Sequence, residues 1–214
     1  MRKKVWRLGF GVWGRQFTAA SFAVVTTIVC VLLFISCNSD YTVKPRGYYK
    51  IDFPQKKYQS FNTPGYPYRF EYPVYGQVVK DSLFFDERTE NPYWINIDFP
   101  RLGARIHLSY KSIGTHKFDS LVNDAYTLSY KQHTYKASAI EPKPFTTPTG
   151  VEGVFFTLKG NTATAHQFFA TDTSRHFLRG ALYFSATPNE DSLRPVTQFL
   201  RTDLEHLINT LQWR

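Results

Sequence analysis

Two acidic residues, Glu71 and Asp81, lie on neighbouring stretches that read as the arms of a hairpin. Carboxylates facing one another across paired strands are what glycoside hydrolysis requires, one protonated to donate to the leaving oxygen and one ionised as nucleophile or base. His166 and His176 fall on adjacent strand-like stretches and raise a second option, a shared metal ion or a proton relay. The turn between them argues against it. If 172–175 closes that hairpin, Thr171 stands opposite His176 and His166 stands near Ala181, so the two imidazoles cannot ligate together. Acids on paired strands are common on solvated faces, and no third group is placed to orient either histidine. The chain has no Gly-rich phosphate loop, no H-E-x-x-H, no C-x-x-C and no G-x-S-x-G. The reading is of a non-enzyme, with no catalytic residue, no metal and no cofactor expected.

The elements that would carry these residues follow from periodicity. Alternation of apolar and polar residues marks strands over 93–99 and 104–110, joined by a Pro100 to Gly103 turn. An aromatic strand is expected over 65–73, and 77–81 is a stretch that could pair with it. Over 115–133 the period changes: Phe118, Leu121, Val122 and Ala125 follow a helical stripe, with Thr115 as N-cap and Lys131 and His133 near the negative end of the dipole. Strands over 137–145, 151–159, 162–170 and 175–184 follow, with Gly160-Asn161 as a tight turn. A closing helix is expected over 193–213, with Asp191 or Ser192 as cap and Pro195 in the first turn. Strands, helix, strands, helix with short turns imply one α+β domain, a mainly antiparallel sheet packed by two main helices. The order is similar to the Mog1/PsbP-like α/β/α sandwich. In His176-Phe-Leu-Arg-Gly-Ala-Leu-Tyr-Phe184 both alternating faces are apolar, which marks a central strand with a helix on each side. Arg179, on that strand, then needs an acceptor, or else faces a partner.

Cysteine usage and charge concern the other end of the chain. The formal net charge is +9, from 26 basic and 17 acidic residues. Five of the basic residues, Arg2, Lys3, Lys4, Arg7 and Arg15, precede the apolar run at 18–35, and no acid does. The remainder is only mildly basic, so nucleic acid is not an expected partner. A positive start, an uncharged run, a small residue (Ser36) and then Cys37 are the parts of a bacterial lipoprotein signal, with Phe34 where Leu is usual. The alternative is an uncleaved membrane helix. Cys30 competes poorly, since Val29 before it is not small. The expected organisation is a signal at 1–36, a lipidated N-terminus and tether at 37–50, and a globular domain at 51–214, held to the membrane through acyl chains on Cys37. In the tether, Lys44, Arg46, Tyr48 and Tyr49 alternate charge with aromatic area and form a candidate partner-binding strip, whereas Ile51 and Phe53 read as packing onto the domain.

These residues also carry a resemblance. Lys44-Pro-Arg-Gly-Tyr48, Ile51-Asp-Phe-Pro54, Phe70-Glu-Tyr-Pro73, Trp94-Ile-Asn-Ile97, Leu108-Ser-Tyr-Lys111, Gln167-Phe-Phe169, the run His176 to Phe184 and the closing Trp213 resemble the gliding-motility lipoprotein family GldD of the Bacteroidetes. The resemblance implies a cell-envelope lipoprotein, non-catalytic, needed for gliding and for the linked type IX secretion machinery. Its partners would be other envelope lipoproteins such as GldJ. The role of Cys37 is the one site role that transfers. Asn38 carries no acidic retention signal, so the expected location is the outer membrane, facing the periplasm. A module that binds a small ligand or lipid, and less so a glycan-acting enzyme, are the alternatives.

Overall fold

The computed structural model describes residues 24, 26–28, 50–81, 83–84, 87–131 and 133–214. The chain divides into Met1–Gly47 and Tyr48–Arg214, and of the first unit only residues 24 and 26–28 are described, in helical conformation. Among the described residues no helix is long and apolar enough to cross a membrane.

The second unit is an α+β domain. Its strands are β1 (Tyr58–Phe61), β2 (Tyr68–Pro73), β3 (Gln77–Lys80), β4 (Leu83–Phe84), β5 (Glu87–Arg88), β6 (Ile95–Phe99), β7 (Ala104–Ser112), β8 (Ala137–Thr146), β9 (Glu152–Gly160), β10 (Thr164–Thr171), β11 (His176–Phe184) and β12 (Gln212–Trp213). The helices are α1 (Phe118–Tyr130) and α2 (Glu190–Thr210). Seven strands form one sheet in the order β3-β6-β7-β11-β10-β9-β8, antiparallel at every pairing. A separate sheet has the order β1-β2-β12, and β4 and β5 pair with each other.

Alternation along the strands divides the core into two layers. On one face Ile95, Ile97, Ile106, Leu108, Phe155, Phe168, Leu178 and Leu182 pack with Val196, Leu200, Leu204, Leu207 and Ile208 of α2 and with Phe61, Tyr68 and Phe70 of the small sheet. On the other face Val154, Phe156, Leu158, Phe169 and Phe177 pack with Leu121 and Ala125 of α1. β11 is buried on both sides, as its sequence implied. The result is an α/β/α sandwich. Each fully buried large apolar side chain contributes on the order of 1.5–3 kcal/mol by leaving water.

Several elements differ from expectation for identifiable reasons. β3 does not pair with β2. It crosses into the large sheet beside β6, where Val78 lies opposite Ile97, so Glu71 sits in the small sheet while Asp81 follows a strand of the large one. The carboxylate pair is thereby excluded. α1 starts at Phe118 after Lys117, not at Thr115, because Gly114 turns the chain at φ 109° and its N–H bonds the carbonyl of His116. Asn189 caps α2, its side chain accepting from the Ser192 N–H, and Pro195 stands in the second turn. α2 stops at Thr210: Leu211 turns extended, and Gln212 and Trp213 pair with Arg69 and Tyr68. The turn after Thr171 is one residue longer than expected, spanning 172–176. Oδ1 of Asp172 accepts from the backbone N–H groups of Ser174, Arg175 and His176, and Thr173 takes φ 60°. The register is therefore Thr171 opposite Phe177 and His166 opposite Leu182, which still separates the histidines.

The centre of β11 admits no side chain at one position. A Cβ on Gly180 would lie 2.1 Å from Cε1 of Phe168, the residue opposite it, whose ring is 1% exposed and has nowhere to move. Gly180→Ala is expected to destabilise the domain by roughly 1–3 kcal/mol through overpacking. Urea unfolding would show this as a lower midpoint with an unchanged slope.

Candidate functional site

The segment 50–57 has no regular structure, yet it is fixed on α2. The ring of Phe53 stacks on Phe199 at 4.4 Å between centroids. Lys56 Nζ donates to the carbonyl of Phe199 at 2.7 Å, lies over that ring at 3.5 Å and reaches Asp203 Oδ1 at 2.7 Å. Tyr58 donates to Asp203 Oδ1 at 3.0 Å and stacks on His206, while Tyr75 donates to Oδ2 at 2.5 Å. Asp203 has a side-chain exposure of 0%, so three donors converge on a carboxylate sealed from water. A buried charge of this kind is tolerated only when paired and fully hydrogen-bonded.

The electrostatics follow from that arrangement. Burial lowers the pKa of Lys56, against the raising effect of Asp203. Burial, then the Asp203 charge, push the Tyr58 hydroxyl up to about 12, and Tyr75 rises further for the same reasons. Both phenols therefore remain donors at any physiological pH. As the strap advances from Phe53 to Tyr58 its contacts advance from Phe199 to His206, so strap and helix run parallel.

The opposite side of the sheet carries ion pairs. Asp98 accepts from Arg105 at 2.5 and 2.8 Å, Asp81 lies 3.9 Å from His107, and Glu90 meets His116 at 2.5 Å and Lys111 at 3.8 Å. A cleft of about 460 Å³ opens beside Asp98, Arg105, His107 and Tyr183. Among the described residues no group of three or more His, Cys, Asp or Glu could hold a metal ion. Glu71 accepts from His206 at 2.8 Å, and its role is to orient that ring under Tyr58. His166 is 4% exposed, and burial, then Arg201, lower its pKa to about 4. His176 stacks on Trp213 and bonds the Tyr110 hydroxyl at 2.7 Å. His133, expected near the helix dipole, is instead buried against Gln167.

Cys37, Lys44, Arg46, Tyr48 and Tyr49 lie outside the described residues. Arg179 is found against Oε1 of Gln167 at 2.6 Å, not against a carboxylate. Phe53 stacks on Phe199, in line with the packing expected of it, yet it and Ile51 are each 36% exposed. Sequence reasoning missed Lys56 and Asp203. A signal existed: Asp203 falls within the apolar stripe Val196, Leu200, Leu204, Leu207, where an acid must be paired.

The family model of the gliding motility lipoprotein GldD matches residues 38–213. The chain belongs to this family. It is thus a non-catalytic gliding-motility lipoprotein, lipid-anchored in the cell envelope, that acts through other proteins. No curated protein matches the chain. Among solved structures, the solution structure of cyanobacterial PsbP from Synechocystis sp. PCC 6803 is similar, at 10% identity and a TM-score of 0.43, covering 80% of this chain and 99% of that one.

Two outcomes follow from the geometry. Asp203→Asn should cost about 3 kcal/mol, the lower end for loss of one partner of a buried pair, and Tyr58→Phe about 1 kcal/mol. Limited proteolysis should then cut near residue 57 in the Asp203→Asn variant faster than in the parent. Stability should also depend on acid. The folded-state pKa of His166 lies below the unfolded 6.5, so the unfolded chain binds more protons between pH 6.5 and about 4, and stability falls as pH drops through that window. His107, His133 and His176, also lowered by burial, act in the same direction. Urea midpoints measured across this range should fall toward acid, and His166→Gln should flatten the fall.

Proposed function

We propose that this protein is a tethered assembly factor. Cys37 is acylated, residues 38–49 form a leash, and the domain stabilises an envelope partner of the gliding and type IX secretion machinery, a lipoprotein of the GldJ kind. The observation that carries the reading is the family match, whose first residue, 38, directly follows the one cysteine preceded by a small residue. The clamp on Asp203 supports it, because it gives the leash a fixed point of attachment. Lys44, Arg46, Tyr48 and Tyr49 offer charge and low-entropy aromatic contacts close in sequence to that point, and Arg179 offers a cation on the opposite side of the sheet. The anchor lies in the outer membrane, with the domain facing the periplasm.

Intact-mass measurement of the membrane-extracted protein should give a chain beginning at Cys37 with the mass of acyl groups added. An unmodified thiol with residues 1–36 still attached would overturn the reading. Cross-linking in intact cells should join the domain to another envelope lipoprotein, whose level should fall when the gene is deleted. Arg46→Ala should weaken that cross-link without lowering thermal stability.

A further inference from the structure

On the α1 side of the sheet the cation of β11 is met by no acid among the described residues. Arg179 stands on β11 between Ser109 of β7 and Phe169 of β10, its cross-strand neighbours. It donates to Gln167 Oε1 at 2.6 Å. That amide is already committed. Its oxygen also faces Ser129 Oγ at 3.2 Å, and its nitrogen donates to His133 Nε2 at 3.2 Å. Ser129 has one proton for two acceptors, Gln167 and the carbonyl of Ala125 at 2.9 Å, so Arg179 is the principal donor to the amide. Burial, then Arg179, lower the pKa of His133; with the Gln167 oxygen turned to Arg179, the amide nitrogen faces the ring, which therefore accepts at Nε2. Among the described residues the Tyr183 hydroxyl also favours the guanidinium charge.

A guanidinium has five N–H donors in a planar fork. Here two neutral oxygens answer it. The described acids paired on and beside β6 and β7 are engaged elsewhere: Asp98 with Arg105, Asp81 with His107, Glu90 with His116 and Lys111. The apolar residues of α1 pack over β9, β10 and the first residues of β11, and do not extend to β7. Arg179, Ser109 and Tyr183 accordingly keep partial exposure. A half-buried charge with a preorganised fork and no counter-charge is an incomplete ion pair.

We infer that Arg179 is a carboxylate-recognition point, taking an acidic side chain or terminal carboxylate of a partner protein over Ser109 and Tyr183. The inference rests on the partner-binding reading above and names its chemistry. A monoanion fits better than a phosphate. The site supplies one uncompensated positive charge, Asp98 and Asp81 are on the same face, and the planar fork matches a carboxylate bidentately.

Ser109 gives a direct test, because it lies opposite Arg179 across the β7–β11 pair. The full chain, labelled with ¹⁵N-arginine and held in detergent, is titrated with sodium acetate at constant ionic strength set by sodium chloride. The Arg179 side-chain N–H signal, assigned by its loss in Arg179→Lys, should shift saturably, while the signals of Arg105 and Arg194 should not. Ser109→Asp supplies the carboxylate from within the chain, so it should raise the melting temperature and abolish the acetate response. Inorganic phosphate should shift the signal less than acetate. A signal that does not move with acetate, an equal or larger response to phosphate, or a Ser109→Asp chain that still titrates would each overturn the proposal. These outcomes are read on the isolated protein. They stay separate from the cellular cross-link, whose failure would remove the partner reading while leaving the chemistry of the site intact.

Discussion

A carboxylate in the middle of α2 decides where residues 53–58 must go. Asp203 faces inward from a helix whose other inward residues are aliphatic, and its side chain has no access to water. An ionised group in that position is tolerable only if donors reach it, and all three come from one region of the chain: Lys56, Tyr58 and Tyr75. The requirement therefore fixes the strap, the start of β1 and the β2–β3 connection on the helix together. β1 in turn pairs with β2, and β2 with the terminal strand β12, so the three-stranded layer inherits its place from the same carboxylate. Replacing the cluster with apolar residues could be as stable, since buried pairs often gain little over a hydrophobic equivalent. What the charge adds is a single geometry, because three donors satisfy it in only one register of strap against helix.

The two faces of the large sheet are unlike each other for a related reason. The α2 face is dry and aromatic, with Phe61, Tyr68, Phe70 and Phe168 filling the space that a second helix would otherwise occupy. α1 is shorter and covers only part of the other face. β6 and β7 accordingly present Asp98, Arg105, His107 and Lys111 beyond it, arranged as cross-strand pairs such as Asp98 opposite Arg105. Exposed pairs of this kind contribute little to stability, about 0–1 kcal/mol each. Their consequence is specificity: neutralised charges of fixed position reject mismatched partners more than they attract matched ones.

How much of this is legible in the sequence depends on what kind of interaction fixes each element. β11 reads well, because burial on both sides leaves no polar position in its interior except Arg179. Its hairpin with β10 reads one residue out, because the register is set by Asp172 gathering three backbone N–H groups, a local capture that periodicity does not report. The pairing of Glu71 with Asp81 fails at a different level. Alternation marks both stretches as strands but says nothing about which sheet each joins, and the crossover after Tyr75 separates them. Trp213 continues the apolar stripe of α2 and so reads as the last residue of that helix. It serves instead as a strand residue stacked on His176. Asp203 escapes a count of the stripe by its apolar members, although the one polar member carries the clamp.

The edges and faces that remain open constrain how such a domain can meet another protein. The outer edge of β8 cannot accept a further strand. Pro142 and Pro144 continue the ladder with β9, opposite Phe156 and Val154, so their missing N–H groups face outward, with Lys143 between them. The face beneath α2 is filled by the strap and the small sheet. Residues 53–58 hold to α2 on that same side through Phe53, Lys56 and Tyr58. The incompletely covered face over β6 and β7, with its cross-strand charge pairs, lies on the other side of the sheet. The strap that seals Asp203 and the charged surface that α1 leaves open therefore draw on different residues, and a change in one is expected to add to a change in the other rather than couple with it.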